Sequence, residues 1–119
     1  MEKDITNKEK ELLIKVLYAM VPYNTYVRFT KYNYTDYKCK LNAAIIEEFI
    51  KNYPRVEIKP ILRDMESITD DEWRLLNRIE DEGANVVTDF YYKHHLDCWN
   101  LIDKGLAIKA SNKIYKNNL

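Results

Sequence analysis

The stretch from Asp89 to Ile108, DFYYKHHLDCWNLIDKGLAI, decides how the C-terminal part of this 119-residue chain folds. It contains both histidines, one of the two cysteines, one of the two tryptophans and one of the two glycines. Its apolar residues recur at helical spacing, which predicts a helix from Val86 towards Lys104. Gly105 is the expected C-terminal stop, and residues 106–108 can add a short strand. A chemical centre, if the chain has one, is expected in this stretch.

The helical period places His94 and Cys98 on one apolar face, because side chains at i and i+4 lie on the same side of a helix. A histidine and a cysteine at this spacing are weak candidates for a metal site, since they supply only part of a tetrahedral zinc shell. Cys39 and His95 would have to complete it. A Cys–His nucleophilic pair, with Asp97 orienting the imidazole, is a second alternative. We favour a core thiol and a hydrogen-bonded histidine, and we predict no catalytic residue, no cofactor and no metal.

Two apolar residues do not fit one continuous helix. Leu96 falls opposite the apolar face, and Trp99 lies about 120° from it at 3.6 residues per turn. Either the helix breaks near Leu96–Asp97 and returns Trp99 to the core, or Leu96 and Trp99 contact another protein. An exposed tryptophan beside a leucine is a typical interface anchor. Both residues are therefore candidates for protein interaction.

The remaining pattern predicts an α+β fold. Thr6 to Glu9 and Thr69 to Glu72 have the form of capping boxes, which start helices at Asn7 and after Thr69. The first helix is predicted to end at Met20, and a second helix to run from Asn42 to Tyr53. Strands are predicted near Tyr26–Lys31, near Thr35–Leu41 and over Val56–Leu62, where Pro60 marks an edge or the end of pairing. In the helix after Thr69, a buried stripe of Trp73, Leu76 and Ile79 is predicted.

We predict one small domain over residues 1–119. Its short antiparallel sheet is packed by the N-terminal helix and two C-terminal helices, and residues 111–119 form a mobile tail with Ile114 and Tyr115 as docking points. The charged N-terminus and the short apolar runs predict a cytoplasmic protein without a signal peptide or membrane contact.

A tyrosine-rich basic segment, residues 23–41, is the second functional signal. Its candidates for nucleic-acid contact are Arg28, Lys31, Lys38 and Lys40, and its candidates for protein contact are Tyr32, Tyr34 and Tyr37. On a sheet face, aromatic rings stack on bases while basic side chains contact phosphates, which predicts a module for single-stranded nucleic acid. The same residues also suit ordinary sheet structure or a protein-binding face.

The charges are balanced but unevenly placed. Nineteen basic and nineteen acidic residues cancel, which argues against a general nucleic-acid binder. The segment from Asp64 to Glu82 nevertheless carries eight carboxylates against two arginines. Opposite charge patches of this kind favour association of the chain with itself as one alternative.

Two blocks carry a resemblance: IKPILRDMESIT at residues 58–69, and HHLD at residues 94–97 continuing to LIDKGLAI at residues 101–108. They resemble a group of small proteins of unknown function encoded by phages and prophages of gut bacteria. Members read KPxLRP, then an acidic helix, then HHxDxxxLIxKGLA. This chain has Asp64 in place of the second proline, and Cys98 does not match the recurrent pattern.

The resemblance implies an origin and not a mechanism. Our leading hypothesis is a non-enzymatic phage or prophage accessory protein that binds an unidentified host or phage protein, either in the host cytoplasm or in the virion. A module for single-stranded nucleic acid is the alternative, and a small metal- or cysteine-dependent enzyme is the third hypothesis.

Overall fold

The computed structural model describes residues 5–31, 37–111 and 114–115. Its helices and strands are α1 (Asn7–Met20), β1 (Tyr26–Lys31), β2 (Tyr37–Lys40), α2 (Ala43–Asn52), β3 (Val56–Leu62), α3 (Asp70–Ile79), α4 (Ala84–Lys93) and β4 (Ile108–Lys109). Short 3-10 helices lie at Val21–Tyr23, Met65–Ser67 and Glu80–Glu82. The strands follow the order β2-β1-β3-β4, and the predicted α+β class is confirmed. None of the described helices is long and apolar enough to cross a membrane.

The chain forms two compact units, residues 1–60 and 61–119, which we call the N-terminal and C-terminal units. The boundary falls inside β3, so this strand contributes residues to both units. The predicted single domain stays a prediction.

In the N-terminal unit, α1 begins and ends where its sequence predicts. The Thr6 hydroxyl accepts a hydrogen bond from the Glu9 backbone N–H, and the Glu9 carboxylate accepts one from the Thr6 N–H, at 3.1 and 2.9 Å. The helix ends at Met20, before a 3-10 turn that contains Pro22. In α2, the side chain of Asn42 caps the first turn, as predicted.

Strand β1 pairs with β2 and with β3, antiparallel in both cases. One face of this ladder is buried and includes Val27, Phe29 and Ile58. Pro60 lies opposite Val27 as the last residue of β3 that pairs with β1. The alternative in which Pro60 ends a pairing is therefore confirmed, whereas β3 itself is not an edge strand because it also pairs with β4.

In the C-terminal unit, the last two residues of β3 pair in parallel with β4, so the sheet is mixed and not wholly antiparallel. The Thr69 capping box starts α3 as predicted. Behind it, Leu76, Phe90 and Leu96 form a buried cluster. Trp73 does not join that cluster, because 50% of its surface is exposed, and its predicted place in the buried stripe is wrong.

The last helix is much shorter than predicted. It ends at Lys93 and does not continue to Lys104. Within the predicted C-terminal tail, Tyr115 is buried and its hydroxyl donates a 2.7 Å hydrogen bond to the carbonyl of Ile61. Residues 112–113 and 116–119 lie outside the described residues.

Candidate functional site

The chain reverses immediately after α4. His94 ends the helix, and His95 has a φ of 61°, in the left-handed region that few residues other than glycine adopt. The backbone of Arg63 then pairs on both sides of Leu96: the Arg63 N–H donates to the His95 carbonyl at 2.7 Å, and the Asp97 N–H donates to the Arg63 carbonyl at 2.9 Å. The predicted break in the helix therefore exists, slightly before Leu96.

This reversal overturns the helical geometry that joined His94 to Cys98. Because the helix has ended, the two side chains are no longer one turn apart on a common face. Within the described residues, no group of three or more histidine, cysteine, aspartate or glutamate side chains is placed to hold a metal ion. The predicted position of His94 and Cys98 on one face of a continuous helix is wrong.

The structure instead joins His94 to a buried carboxylate. Glu72 is 1% exposed, and its two carboxylate oxygens accept bidentate hydrogen bonds from the Arg63 guanidinium, each 2.7 Å long. The Thr69 N–H donates to Glu72 at 2.9 Å, and the Nδ1 of His94 lies 3.1 Å from Glu72 Oε2. Arg63 also donates to the carbonyls of His94 and Ser67. We call Arg63, Glu72 and His94 the buried triad.

The protonation of the triad follows from burial and charge. Burial acts to raise the pKa of Glu72, but the hydrogen bonds from Arg63 and Thr69 and the positive charge of Arg63 outweigh it and lower the pKa to about 2. Burial lowers the pKa of His94, and the negative charge of Glu72 opposes that shift without cancelling it. Near pH 7 Glu72 is therefore ionised, and His94 is mostly neutral and donates through Nδ1.

The neighbouring histidine has a different role. The ring of His95 stacks on Tyr115, with ring centroids 3.8 Å apart and planes inclined by 9°. Tyr115 is held in turn by its hydrogen bond to Ile61. His95 is thus a buried packing residue, and it does not share the environment of His94.

Asp97 does not orient His94. Its carboxylate accepts hydrogen bonds from the N–H groups of Leu101 and Ile102, at 2.8 and 2.9 Å, and so caps the turn that follows. The next residue, Cys98, is half-buried, and burial together with the negative charge of Asp97 raises its pKa to about 11. At neutral pH this cysteine is a thiol, which is the poorly nucleophilic form. The hypothesis of a nucleophilic Cys–His pair therefore lacks both the orienting carboxylate and the reactive thiolate.

The two protein-interaction candidates of this stretch, Leu96 and Trp99, differ in exposure. Leu96 is 1% exposed and belongs to the buried cluster, so it is removed from the candidate surface. Trp99 is 37% exposed, and its indole N–H donates a 2.8 Å hydrogen bond to the hydroxyl of Tyr92. Trp73, which the sequence pattern assigned to the core, is a further exposed tryptophan. The helical period already indicates this exposure, because at 100° per residue Trp73 lies well to one side of the direction shared by Leu76 and Ile79.

The tyrosine-rich segment is described in part. Tyr32 and Tyr34 lie outside the described residues, and only the backbone of Tyr37 is described, in β2. Lys31 forms an ion pair with Glu48 of α2 at 2.6 Å. Arg28, Lys38 and Lys40 lie on the face of the sheet opposite Val27 and Phe29. Lys59 of β3, which was not a candidate, lies directly opposite Arg28.

Comparison of the chain with protein-family models, with curated proteins and with solved structures found no match. The resemblance to the phage and prophage group therefore stays a prediction.

Several residues of the two sequence blocks that carry the resemblance have structural contacts inside the C-terminal unit. Arg63, His94, His95, Leu96 and Asp97 all contact other parts of the C-terminal unit. They join the end of β3 to the first turn of α3 and to the end of α4. These residues therefore have structural roles, whereas Trp73 and Trp99 of the same unit are exposed in part to solvent.

Proposed function

We propose that this protein acts by binding another protein, and that its two tryptophans are the anchors of the contact. The observation that supports this proposal is their exposure: the chain has two tryptophans, both in the C-terminal unit, and they are 50% and 37% exposed. Tryptophan is usually largely buried, and it is enriched among the residues that dominate interface energies.

Trp99 is prepared for binding by its own surroundings. The Tyr92 hydroxyl accepts the indole hydrogen bond, so the ring is held in one orientation while part of its surface stays in solvent. A side chain fixed before binding loses less conformational entropy when a partner covers it.

Trp73 lies on a charged helix. Its neighbours one turn away, Asp70 and Asn77, are exposed and polar, and Asp71 is also exposed. A partner that fits this surface offers an apolar pocket for the indole with basic side chains around it. In this proposal the acidic residues of α3 attract a basic partner surface, in addition to their role in helix capping.

The resemblance supports a phage or prophage setting for this activity. On that reading the protein is a non-enzymatic accessory factor, its partner is a host or phage protein, and it works in the bacterial cytoplasm or in the virion. Two observations weigh against the enzyme hypothesis: Cys98 is a thiol at neutral pH, and the Glu72 carboxylate is already fully engaged by Arg63 and Thr69.

The experiment is affinity capture from phage-infected bacterial lysate with three baits: the wild-type chain, the Trp73→Ser/Trp99→Ser variant and a Tyr18→Ser control. Tyr18 is 44% exposed on α1 and is a large surface ring outside the proposed contact. We expect a partner that the wild type and the control retain and the double variant loses.

The purified partner is then titrated against the chain while tryptophan fluorescence is recorded. Burial of an indole in an apolar pocket shifts its emission to shorter wavelength, so binding through these rings predicts a blue shift. Equal capture by all three baits, or binding without any change in emission, would contradict the proposal. A concentration-dependent mass of the isolated chain would instead identify a second copy as the partner.

A further inference from the structure

The two partly exposed tryptophans lie on different sides of α4. Phe90 of α4 packs with Leu76 of α3 in the buried cluster. Tyr92 comes two residues later, so its side chain points about 160° away from that of Phe90 at 100° per residue. Because the Trp99 indole donates to the Tyr92 hydroxyl, Trp99 lies on the side of α4 turned away from α3. The width of a helix, about 10 Å, therefore separates it from Trp73, and one partner pocket cannot hold both rings.

The side of α3 that carries Trp73 is acidic at both ends. At 100° per residue, Asp70, Asn77 and Glu80 all lie within about 60° of Trp73 around the helix. All three are exposed, as is the indole. Asp70 and Glu80 are about 15 Å apart along the axis, at a rise of 1.5 Å per residue, and Trp73 lies between them. We call Asp70, Trp73, Asn77 and Glu80 the Trp73 surface.

The arginines of α3 do not neutralise this surface. Arg74 and Arg78 lie about 100° and 140° around the helix from Trp73. Arg74 is instead paired with Asp71, which lies on the same far side, at 3.4 Å. The positive charges of the helix are thus gathered away from the indole, and the Trp73 surface keeps its negative charge.

We propose that the Trp73 surface binds a basic amphipathic segment of the partner. An apolar part of that segment covers the indole, and lysine or arginine side chains contact Asp70 and Glu80. A helix of about ten residues with a cation near each end spans the same 15 Å, and such helices commonly bind through an apolar face. The inference rests on the proposed function, since it names the chemistry of the partner at one of the two tryptophans.

The test uses a synthetic peptide of leucine and lysine, about 14 residues long, whose leucines form one helical face with lysines beside it. It is titrated against the Trp99→Phe chain, in which Trp73 is the remaining tryptophan of the two in the sequence. We expect the Trp73 emission to shift to shorter wavelength, and the affinity to fall with salt because the carboxylates are exposed. A peptide with glutamate in place of each lysine should cause no shift.

Asp70→Asn/Glu80→Gln is the decisive variant, and we expect it to bind the lysine peptide at least about tenfold more weakly. Asp71→Asn/Asp103→Asn is the matched control, because it removes the same charge from two exposed residues of the unit outside the Trp73 surface. Its affinity should stay close to that of the Trp99→Phe chain. Asp70→Glu/Glu80→Asp keeps both charges and should retain binding, which separates loss of contact from loss of fold.

Three results of the peptide titration would overturn the inference. Equal weakening by the decisive and the control variants would mean that the attraction is diffuse. Binding without any change in emission would mean that the indole is not covered. Equally tight binding of the glutamate peptide would mean that the carboxylates do not select the ligand.

Single variants in the capture experiment separate this inference from the proposed function. We expect Trp73→Ser alone to weaken capture of the partner. If Trp73→Ser retains the partner fully and Trp99→Ser loses it, the contact runs through Trp99, so the inference is overturned while the proposed function stands. Equal capture by the wild type, both single variants and the double variant contradicts the proposed function and this inference with it.

Discussion

The Arg63 guanidinium and the Glu72 carboxylate form two hydrogen bonds of 2.7 Å, and Glu72 is almost completely buried by the contact. The same carboxylate closes the capping box of α3, so one side chain starts the helix and attaches it to the end of β3. His94 completes the link to the end of α4. The stability of the C-terminal unit should therefore depend strongly on this pair.

The first prediction concerns the strength of the pair. Removing one partner of a buried ion pair leaves an uncompensated charge, so Glu72→Ala and Arg63→Ala should each lower the free energy of unfolding by about 3 kcal/mol. The double variant should lose much less than the sum of the two. Urea unfolding of the four proteins, followed by circular dichroism, gives the coupling energy.

Asp71 and Arg74, on the same helix, are the matched control pair. They are 3.4 Å apart and highly exposed, and exposed pairs contribute little. Their cycle should give a coupling energy below about 0.5 kcal/mol. Similar coupling energies in the two cycles would contradict the prediction that the Arg63–Glu72 pair stabilises the C-terminal unit strongly.

The second prediction is a loss of stability in acid. The pKa of Glu72 is about 2 in the folded chain and 4.5 as its ordinary value, so between these values the unfolded chain binds more protons. Its contribution, about 3 kcal/mol by the linkage relation, is complete above pH 4.5 and is lost as the pH falls towards 2. Urea midpoints from pH 7 to pH 2.5 measure it.

Glu72→Gln is the comparison for that series. The hydrogen bond with Lys109 also lowers the pKa of Asp64, so protonation of Asp64 in acid lowers the stability of the wild type as well. The difference between wild type and Glu72→Gln isolates Glu72, and it should shrink as the pH falls from 4.5. A difference that is constant over this range would contradict the lowered pKa.

The third prediction concerns His94. Burial holds its pKa below 6.5, so the folded chain binds a proton less readily than the unfolded chain, and its contribution to stability is lost as the pH falls below 6.5. Because the charge of Glu72 opposes this shift, Glu72→Gln should lower the pKa of His94 further. Proton NMR titration of the imidazole measures both values, with Asp71→Asn as a control that leaves them unchanged. A His94 pKa above 6.5 in the wild type would show that the carboxylate dominates.

The fourth prediction concerns the thiol of Cys98. A pKa of about 11 in place of 9.0 lowers the thiolate fraction at pH 8 by about a hundredfold, and the thiolate is the reactive form. In a Cys39→Ser background, reaction with a disulfide reagent should be about a hundredfold slower in the folded chain than in urea, where the thiol has its ordinary pKa. Equal rates would instead support an activated cysteine.

Local signals explain what the sequence predicts well. The bounds of α1, β1 and β3 agree with prediction because capping boxes, Pro22 and period-two alternation act within a few residues of the element they define. The same is true of the start of α3 at Thr69. None of these features depends on a partner far along the chain.

The end of α4 has a different cause. No glycine or proline lies near His94, and Cys98, Leu101 and Ile102 return to the apolar face at helical spacing, so the sequence predicts a longer helix although Leu96 and Trp99 do not fit it. The helix stops because the backbone of Arg63, 31 residues before His94, pairs on both sides of Leu96. The off-face position of Leu96 is a local sign of a break, but nothing near Leu96 in the sequence identifies Arg63 as the residue that pairs there. The burial of Glu72 was missed for the same reason: its capping role is visible, but its bidentate partner is not.

The last prediction separates the two tryptophans by their effect on stability. Trp73 is half exposed, so Trp73→Ser should change the free energy of unfolding by less than about 0.5 kcal/mol, as surface substitutions usually do. Trp99→Phe keeps an aromatic ring but removes the donor to Tyr92, and the loss of one hydrogen bond should cost about 1 kcal/mol. Urea unfolding of both variants and of Tyr92→Phe checks the assignment. If Tyr92→Phe and Trp99→Phe are additive, the hydrogen bond does not hold the indole. A large loss in Trp73→Ser would show that this tryptophan belongs to the core and would remove it from the proposed contact.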